Sequence, residues 1–429
     1  MPPKKLKRGY KKTTLKNGLR VITIPQKETK AVTVLILVAT GSKYETKNIS
    51  GISHFLEHTI FMGSKKFKDF TQVHEQVDEI GASHNAFTGE DYTGFYVTAA
   101  TEHMERIIDW LTEIFFNATF PSQAVETERG VIISELKMFF DNPRRFIYDF
   151  WKILLYGDQP AGWDIAGTIE SVSAIKRNEI IAYRDSRYVA KNIVVCVAGN
   201  ISEKKTLDYV KKRFKNVKTG KPKAKAPVIE KQSEPRAKIL FRDMKLANIA
   251  LGVRTYDMFH PRRYAADLIA IILGGMTSSR LYKAIRVDEG TGYDLQTFND
   301  SDPDTGCLAT FVGIDKEKTE KAIITILKEY KKIAEKGVSA KELKKVKDYI
   351  KGHMVLGLES SYSKAIYYAN QELLRNEILP IEEIMRRINK VTREDIQETA
   401  KDIFKPEKLN LAMIGPFKDE QKFKKLLKF

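Results

Sequence analysis

The chain has 429 residues and a formal net charge of +18, because 73 lysines and arginines outnumber 55 aspartates and glutamates. It lacks a run of about 18 apolar residues, which argues against a membrane-spanning helix. No apolar segment follows its basic start, so no signal peptide is visible. We therefore expect no membrane partner and a cytoplasmic location.

The positive charge and the two cysteines point to no special partner. The lysines are spread along the chain without a nucleic-acid-binding motif, so we expect a solvated, lysine-rich surface and no nucleic-acid partner. Cys196 and Cys307 lie in apolar, strand-like runs. We expect both to be reduced core residues and neither to be a metal ligand.

The first informative helix is predicted between Ser50-Gly51, a typical start, and Gly63, a typical stop. Apolar residues such as Ile52 and Phe55 recur at helical spacing, which predicts a buried helix of about three turns. A strand precedes it, because Ala31–Val38 is a continuous apolar, β-branched run.

This helix contains the sequence His54-Phe55-Leu56-Glu57-His58, an H-x-x-E-H motif. Histidines four residues apart lie on one helix face, so both rings can reach one metal ion, and Glu57 can take a proton from a water beside it. The alternative is two ordinary histidines on an amphipathic helix. Two histidines and a carboxylate in so apolar a helix need a partner, which favours the metal.

Residues 81–97 predict a β-hairpin, because 81–88 and 91–97 are rich in Thr, Tyr, Phe and Val. Its first strand contains His84, Asn85 and Ala86. An ordinary structural hairpin and a substrate-binding strand are both compatible with this composition.

A second helix is predicted to begin at Pro121-Ser122 and to end at Asp141-Asn142-Pro143. Glu128 and Glu135 are seven residues apart and therefore two turns along one face. Apolar neighbours indicate that Glu135 is half-buried and needs a partner, whereas Glu128 is equally compatible with a solvated glutamate. A catalytic zinc needs three protein ligands and one open position, so the third ligand must come from outside the motif.

Internal repeats indicate a duplicated unit. Residues 101–108 resemble 316–323, and 192–199 resemble 409–415, at an offset of about 215 residues. The Pro- and Lys-rich stretch 219–235 has the composition of a linker. We predict an α+β fold of two homologous domains, 1–218 and 236–429, each an antiparallel-rich β-sheet with helices packed on one side.

The second half has no H-x-x-E-H motif, so we expect one metal site per chain, in the N-terminal domain. At the corresponding place a segment around Gly274-Gly275 leads to Arg286 and Tyr293, seven residues apart. A cation and a phenol suit a developing oxyanion, although an exposed arginine and a core tyrosine would have the same spacing.

These features together resemble the pitrilysin/insulinase family of zinc peptidases, in its two-domain, processing-peptidase-like form. Besides the motif, the resemblance rests on Glu135, 77 residues after His58, and on Glu128, seven residues before Glu135. It implies that His54, His58 and Glu135 hold one Zn²⁺ per chain. It also implies that Glu57 is the general base and that Glu128 supports the ligands as a second carboxylate.

The resemblance further implies a substrate site. Substrate would add as a β-strand to the edge strand that contains Asn85 and Ala86. Arg286 and Tyr293 would bind the substrate carbonyl, and His84, which is outside the family's ligand set, would be structural.

The function implied is that of a zinc metalloendopeptidase with a processing-peptidase-like metallohydrolase fold. It would hydrolyse unfolded or short peptides in a chamber between domains, with Glu57 activating a zinc-bound water. Family chambers use four such domains, so we expect a homodimer, and a heterodimer with a family paralogue stays open. The alternative is a non-catalytic structural or regulatory subunit of a family heterodimer.

Overall fold

The computed structural model describes residues 9–429. The lysine-rich first eight residues, part of the predicted N-terminal domain, lie outside the described residues. The strands are β1 (Lys11–Thr14), β2 (Arg20–Pro25), β3 (Ala31–Val38), β4 (Ser83–Thr88), β5 (Thr93–Ala100), β6 (Ile193–Gly199), β7 (Arg236–Phe241), β8 (Leu246–Arg254), β9 (Tyr293–Ser301), β10 (Gly306–Asp315) and β11 (Leu409–Gly415).

The longer helices of the first half are α1 (Ile52–Thr59), α2 (Phe70–Asp78), α3 (Met104–Asn117), α4 (Ser122–Asp141), α5 (Pro143–Tyr156), α6 (Ile169–Ala174), α7 (Arg177–Arg187) and α8 (Glu203–Phe214). Those of the second half are α9 (Arg263–Gly274), α10 (Thr319–Lys336), α11 (Ala340–Gly357), α12 (Ser361–Arg375), α13 (Ile381–Lys390), α14 (Arg393–Ile403) and α15 (Glu420–Lys424). Residues 219–235 contain neither helix nor strand.

The chain forms two compact units that are not continuous in sequence. The first unit contains residues up to Leu136, Asp164–Ala226 and Val355–Pro380. The second unit contains Lys137–Trp163, Pro227–Met354 and Ile381–Phe429. Each unit thus includes one segment from the opposite half of the sequence. The boundaries at 218 and 236 stay a prediction about the sequence duplication.

The sheet of the first unit has the strand order β1-β2-β6-β3-β5-β4. All neighbours are antiparallel except β2 and β6, which run parallel. The strand β4 lies at one end of this order, so the predicted strand with Asn85 and Ala86 is an edge strand. An edge strand presents unpaired backbone groups to solvent or to another chain.

The sheet of the second unit repeats this topology for five strands, without a counterpart of β1. Its order is β7-β11-β8-β10-β9, again with one parallel pair, β7 and β11. Within each unit the closing strand, β6 or β11, pairs with the opening strands in the same way. The repeat detected between residues 192–199 and 409–415 corresponds to β6 and β11.

Helices cover both faces of each sheet, not only the one side predicted. In the first unit, α1, α3 and α7 pack on one face, and α12 packs on the other. In the second unit, α5 occupies the position that α12 has in the first. In each unit, the helix on this second face comes from the opposite half of the sequence. It buries the second face of the sheet, which explains why strands such as β3 are apolar along their whole length.

Two details bear on the site. The helix α1 ends at Thr59, a turn earlier than the glycine stop predicted, whereas α4 has the predicted limits. Cys196 and Cys307 are buried free thiols, as predicted. In the described part of the chain, no helix is long and apolar enough to cross a membrane.

Candidate metal centre

The start of α1 is fixed by Gly51, whose φ is +93°. A Cβ at this position would lie 2.4 Å from the carbonyl oxygen of Ala166, so both the conformation and the close approach require glycine. Ile52, Phe55 and Leu56 are fully buried and attach the helix to the core of the first unit. The remaining face of this short helix carries the polar residues of the motif.

Helix α4 brings Glu128 and Glu135 against the motif residues of α1. Oε2 of Glu135 lies 3.7 Å from Nε2 of His54 and 3.6 Å from Nε2 of His58. The ligand atoms of His54, His58 and Glu135 all lie within 4.8 Å of one another, which is close enough to share a metal ion. Within residues 9–429, no other three His, Cys, Asp or Glu side chains meet this condition. The structure thus brings together the three residues that the sequence named as ligands.

The donor set fits zinc. Two imidazole nitrogens and one carboxylate oxygen are common protein ligands of catalytic zinc, and separations near 3.6 Å are close to those of two ligands about 2.1 Å from one tetrahedral ion. Nδ1 of His58 lies 3.0 Å from Oε2 of Glu128. That hydrogen bond assigns the proton to Nδ1 and leaves Nε2, the atom near Glu135, free to bind a metal.

The electrostatics of the two histidines differ. Burial lowers the pKa of His54 to about 3, with a smaller contribution from His58, so this ring is neutral and able to bind metal. Burial also acts to lower the pKa of His58, but the hydrogen bond to Glu128 and the nearby carboxylates outweigh it, and the pKa is raised. A proton on Nε2 of His58 would compete with a metal ion for that atom, which makes the affinity of the site pH-dependent.

The carboxylate of Glu57 has a partner that the sequence did not suggest. The hydroxyl of Thr88, on β4, donates a 2.6 Å hydrogen bond to Oε2 of Glu57. Burial raises the pKa of Glu57, and the bond from Thr88 partly opposes that rise. Thr88 ends the segment 81–88, but no pattern in that segment marks its hydroxyl as a partner of the motif.

The edge strand β4 has a backbone N–H group, that of Ala86, which bonds to a side chain instead of to β5. Asn85 is exposed, and its Oδ1 accepts the N–H of Ala86 at 2.9 Å. In an antiparallel pair, a residue's N–H and C=O point to the same side, so those of Ala86 face away from β5. His84 lies 2.9 Å, nitrogen to nitrogen, from His74 of α2 and contacts Trp110, which agrees with a structural role.

Arg286 and Tyr293 belong to the second unit. The guanidinium carbon of Arg286 lies 5.1 Å from the centroid of the Tyr293 ring, and its Nη1 donates to the carbonyl of Gly292 at 3.4 Å. Both side chains are exposed, Tyr293 to 48%. The two are neighbours, and their predicted role at the substrate carbonyl stays a prediction.

Comparison with known proteins decides the family. A model described as Insulinase (Peptidase family M16) matches residues 20–168, and one described as Peptidase M16 inactive domain matches residues 174–350. The uncharacterized zinc protease YmxG of Bacillus subtilis (strain 168) is 31% identical over 407 residues, which cover 95% of this chain and 98% of the relative. The chain belongs to the insulinase family, peptidase family M16. The resemblance seen in the motif and its spacing is confirmed at this level.

Two solved structures share the fold. A protease from Helicobacter pylori has a TM-score of 0.87 at 24% identity and covers 95% of this chain and 99% of its own. A peptidase M16 inactive domain from Pseudomonas fluorescens has a TM-score of 0.87 at 17% identity, covering 96% and 99%. At these identities the likeness shows the fold alone, and it confirms the predicted α+β fold with two sheets.

Proposed function

We propose that this M16 chain is a zinc-dependent endopeptidase with one zinc ion per chain. The observation that carries the proposal is the convergence of His54, His58 and Glu135, with Glu57 between the two histidines in the sequence of α1. The match to a zinc protease along nearly the whole chain supports it. The two imidazoles and the carboxylate would hold the ion.

Zinc, when bound there, supplies Lewis-acid chemistry that polarises the scissile carbonyl and makes water more acidic. Glu57 accepts a proton from the attacking water on its carboxylate and passes it to the nitrogen of the leaving amine. Its burial, which raises the pKa, suits a group that must first accept and later donate. Thr88 orients the carboxylate by its hydrogen bond.

The substrate is proposed to be an unfolded or short peptide. It would add to the edge strand β4 as a further strand, with its backbone bonded to the outward N–H and C=O of Ala86. Asn85 would give up its contact with that N–H and bind the peptide. Arg286 and Tyr293 would contribute a cation and a phenol hydroxyl to the developing oxyanion.

The proposal includes an assembly of two chains. We expect a homodimer, because one chain carries the zinc motif and the Arg286/Tyr293 pair together, with a family heterodimer as the other arrangement. A mass of one chain by light scattering at working concentration would exclude both. This measurement is independent of the peptidase assay.

The second candidate is a non-catalytic structural or regulatory subunit. The match of residues 174–350 to a model described as an inactive domain favours it. The zinc motif lies outside that stretch, in the part that matches the Insulinase model, and has all its ligands and the base. The complete set favours the peptidase.

The test combines metal content with hydrolysis of an unstructured peptide. Purified protein should contain about one zinc per chain and lose activity on chelation. Glu57→Gln should retain zinc and lose at least about 100-fold in kcat, because the amide cannot take a proton. Full zinc content without hydrolysis would favour the non-catalytic subunit, and an active Glu57→Gln variant would exclude Glu57 as the base.

A further inference from the structure

The loop before α1 holds a buried carboxyl group that the mechanism does not use. Glu45 is 4% exposed and follows a short helical turn, Ser42–Tyr44. Its Oε2 accepts the N–H of Gly51 at 2.7 Å, and its Oε1 accepts the N–H of Ser53 at 2.8 Å. One side chain therefore binds two backbone donors at the start of α1.

The helix α1 has particular need of such a contact. It is eight residues long, and helices of this length have little stability of their own in water. The capping residue before it, Gly51, has no side chain with which to cap the helix, although N–H groups at this end lack intrahelical partners. Glu45 supplies, from six residues upstream, the cap that glycine cannot.

Helix α7 contributes a second layer of contacts to the same place. The hydroxyl of Tyr183 lies 2.9 Å from Oγ of Ser53 and 2.9 Å from Oγ1 of Thr40. Arg187 donates to the carbonyl of Tyr44, the residue before Glu45, at 3.0 Å. The start of α1 is thus held by hydrogen bonds from the loop and from α7, while its last turn is held by the contacts of Glu57 with Thr88 and of His58 with Glu128.

Burial of Glu45 disfavours the charged form of its carboxyl group. Burial raises its pKa to about 8, although the bonds from Ser53 and Gly51 and the charge of Arg187 all act to lower it. An apolar residue would avoid this cost but would leave the two N–H groups buried without an acceptor. The carboxyl group is therefore suited to fixing a helix start.

We propose that Glu45 is a positioning residue of the metal centre, whose two hydrogen bonds set the axial position and orientation of α1 and thereby of His54 and Glu57. These residues follow Ser53 by one and four positions, so a shift of the helix start displaces both. The inference rests on the proposed function, because it assigns the purpose of the contact to zinc binding and proton transfer.

The test compares two buried glutamates of the first unit. Glu45→Gln keeps the shape of the side chain but replaces one acceptor oxygen by an amide nitrogen, which leaves one of the two N–H groups unbonded. Glu372→Gln is the matched control. Glu372 is fully buried, and its partners, Lys12 at 2.8 Å and Arg20 at 3.6 Å, lie on β1 and β2 instead of α1.

Both variants should lower the thermal unfolding midpoint, because each replaces a buried, hydrogen-bonded carboxyl group by an amide. Glu45→Gln should in addition weaken zinc binding about tenfold in a chelator competition and lower kcat about tenfold at unchanged KM. Glu372→Gln should leave zinc affinity, kcat and KM as in the wild type. Equal zinc affinity and kcat in Glu45→Gln and the wild type would overturn the proposal.

Two further outcomes separate this inference from the proposed function. If the wild type binds zinc but hydrolyses no peptide, the peptidase proposal fails, and the zinc affinity of Glu45→Gln still decides the role of Glu45. A wild type without zinc affinity would overturn both. If Glu45→Gln does not fold, Tyr183→Phe, which removes the hydroxyl bonded to Ser53 and Thr40, should weaken zinc binding about threefold, and unchanged affinity would count against the proposal.

Discussion

The hydroxyl of Thr88 donates a 2.6 Å hydrogen bond to Oε2 of Glu57 and joins the edge strand β4 to the helix that carries the zinc motif. The strand proposed to receive the substrate and the residue proposed to move the proton therefore share one contact. A displacement of β4 would change the orientation of the Glu57 carboxylate. This relationship and three others lead to measurable expectations.

Replacing Thr88 by valine should lower kcat about tenfold, because a hydrogen bond to a charged group is worth roughly 1.5–3 kcal/mol and its loss leaves Glu57 free to turn. The bond lowers the pKa of Glu57, so its removal should move the acidic limb of the kcat–pH profile to higher pH. Steady-state kinetics across pH measures both effects. Thr88→Ser, which keeps the hydroxyl, is the control, and a valine variant with the wild-type profile would contradict the contact.

Replacing Glu128 by glutamine should weaken zinc binding by roughly 10- to 100-fold, because Glu128 fixes the tautomer of His58 through a 3.0 Å bond to Nδ1. Chelator competition measures this affinity. Glu126→Gln is a matched control on the same helix, since Glu126 is exposed and bonds to Arg129 instead of a ligand. The expectation fails if the two variants bind zinc equally well.

Replacing Ala86 by proline tests the edge strand. The N–H of Ala86 binds the side chain of Asn85 and makes no ladder bond to β5, so its removal should leave the sheet intact. A peptide that adds to β4 would lose one backbone partner, and KM should rise about tenfold at unchanged zinc content. A variant with wild-type KM would show that the peptide does not bind at this position.

The buried Glu45 predicts a pH-dependent difference in stability. Burial raises its pKa from 4.5 to about 8, so the folded chain holds this proton more tightly than the unfolded chain. Its contribution to stability is then fully present below about pH 4.5 and is lost as the pH rises to about 8. Arg187 and Tyr183 face it from α7, and Tyr183, with a pKa raised by burial to about 12, does not titrate in this range.

Glutamine at position 45 cannot ionise, so the stability advantage of the wild type over Glu45→Gln should shrink as the pH rises. Urea unfolding midpoints of the zinc-free proteins at about pH 5, 7 and 9 measure this difference. If the difference in unfolding midpoint between the two proteins is the same at all three pH values, the pKa of Glu45 is not raised in the folded chain and this prediction is wrong.

Much of the site could be predicted from local patterns. Histidines four residues apart must share a helix face, and glutamates seven apart must lie two turns along one face. The limits of α4 followed from Pro121-Ser122 and from Asp141-Asn142-Pro143, and the structure has the helix between these two segments. The strands β6 and β11 were visible as a repeat, because the duplicated sequences keep the same buried pattern.

The length of α1 was predicted less well. The stop was placed at Gly63, but the helix ends at Thr59, whose hydroxyl bonds back to the carbonyl of Phe55 within the last turn. The prediction also placed helices on only one face of each sheet, whereas helices cover both faces. Helix α5, from the first half of the sequence, packs on the sheet of the second unit, and α12, from the second half, packs on the sheet of the first unit. No local sequence pattern reveals on which sheet a helix packs.

The sequence by itself determined the family, through similarity along the whole chain, and it predicted the ligand set and the base, which depend on residue types at fixed spacing along helices. Only the tertiary structure decided that Thr88 holds Glu57, that Glu45 caps α1 and that each unit contains a helix from the opposite half. The reason is physical. These contacts join elements that are brought together only by the packing of loops, sheets and helices. Such packing produces no periodic pattern in the sequence around the residues that make the contact.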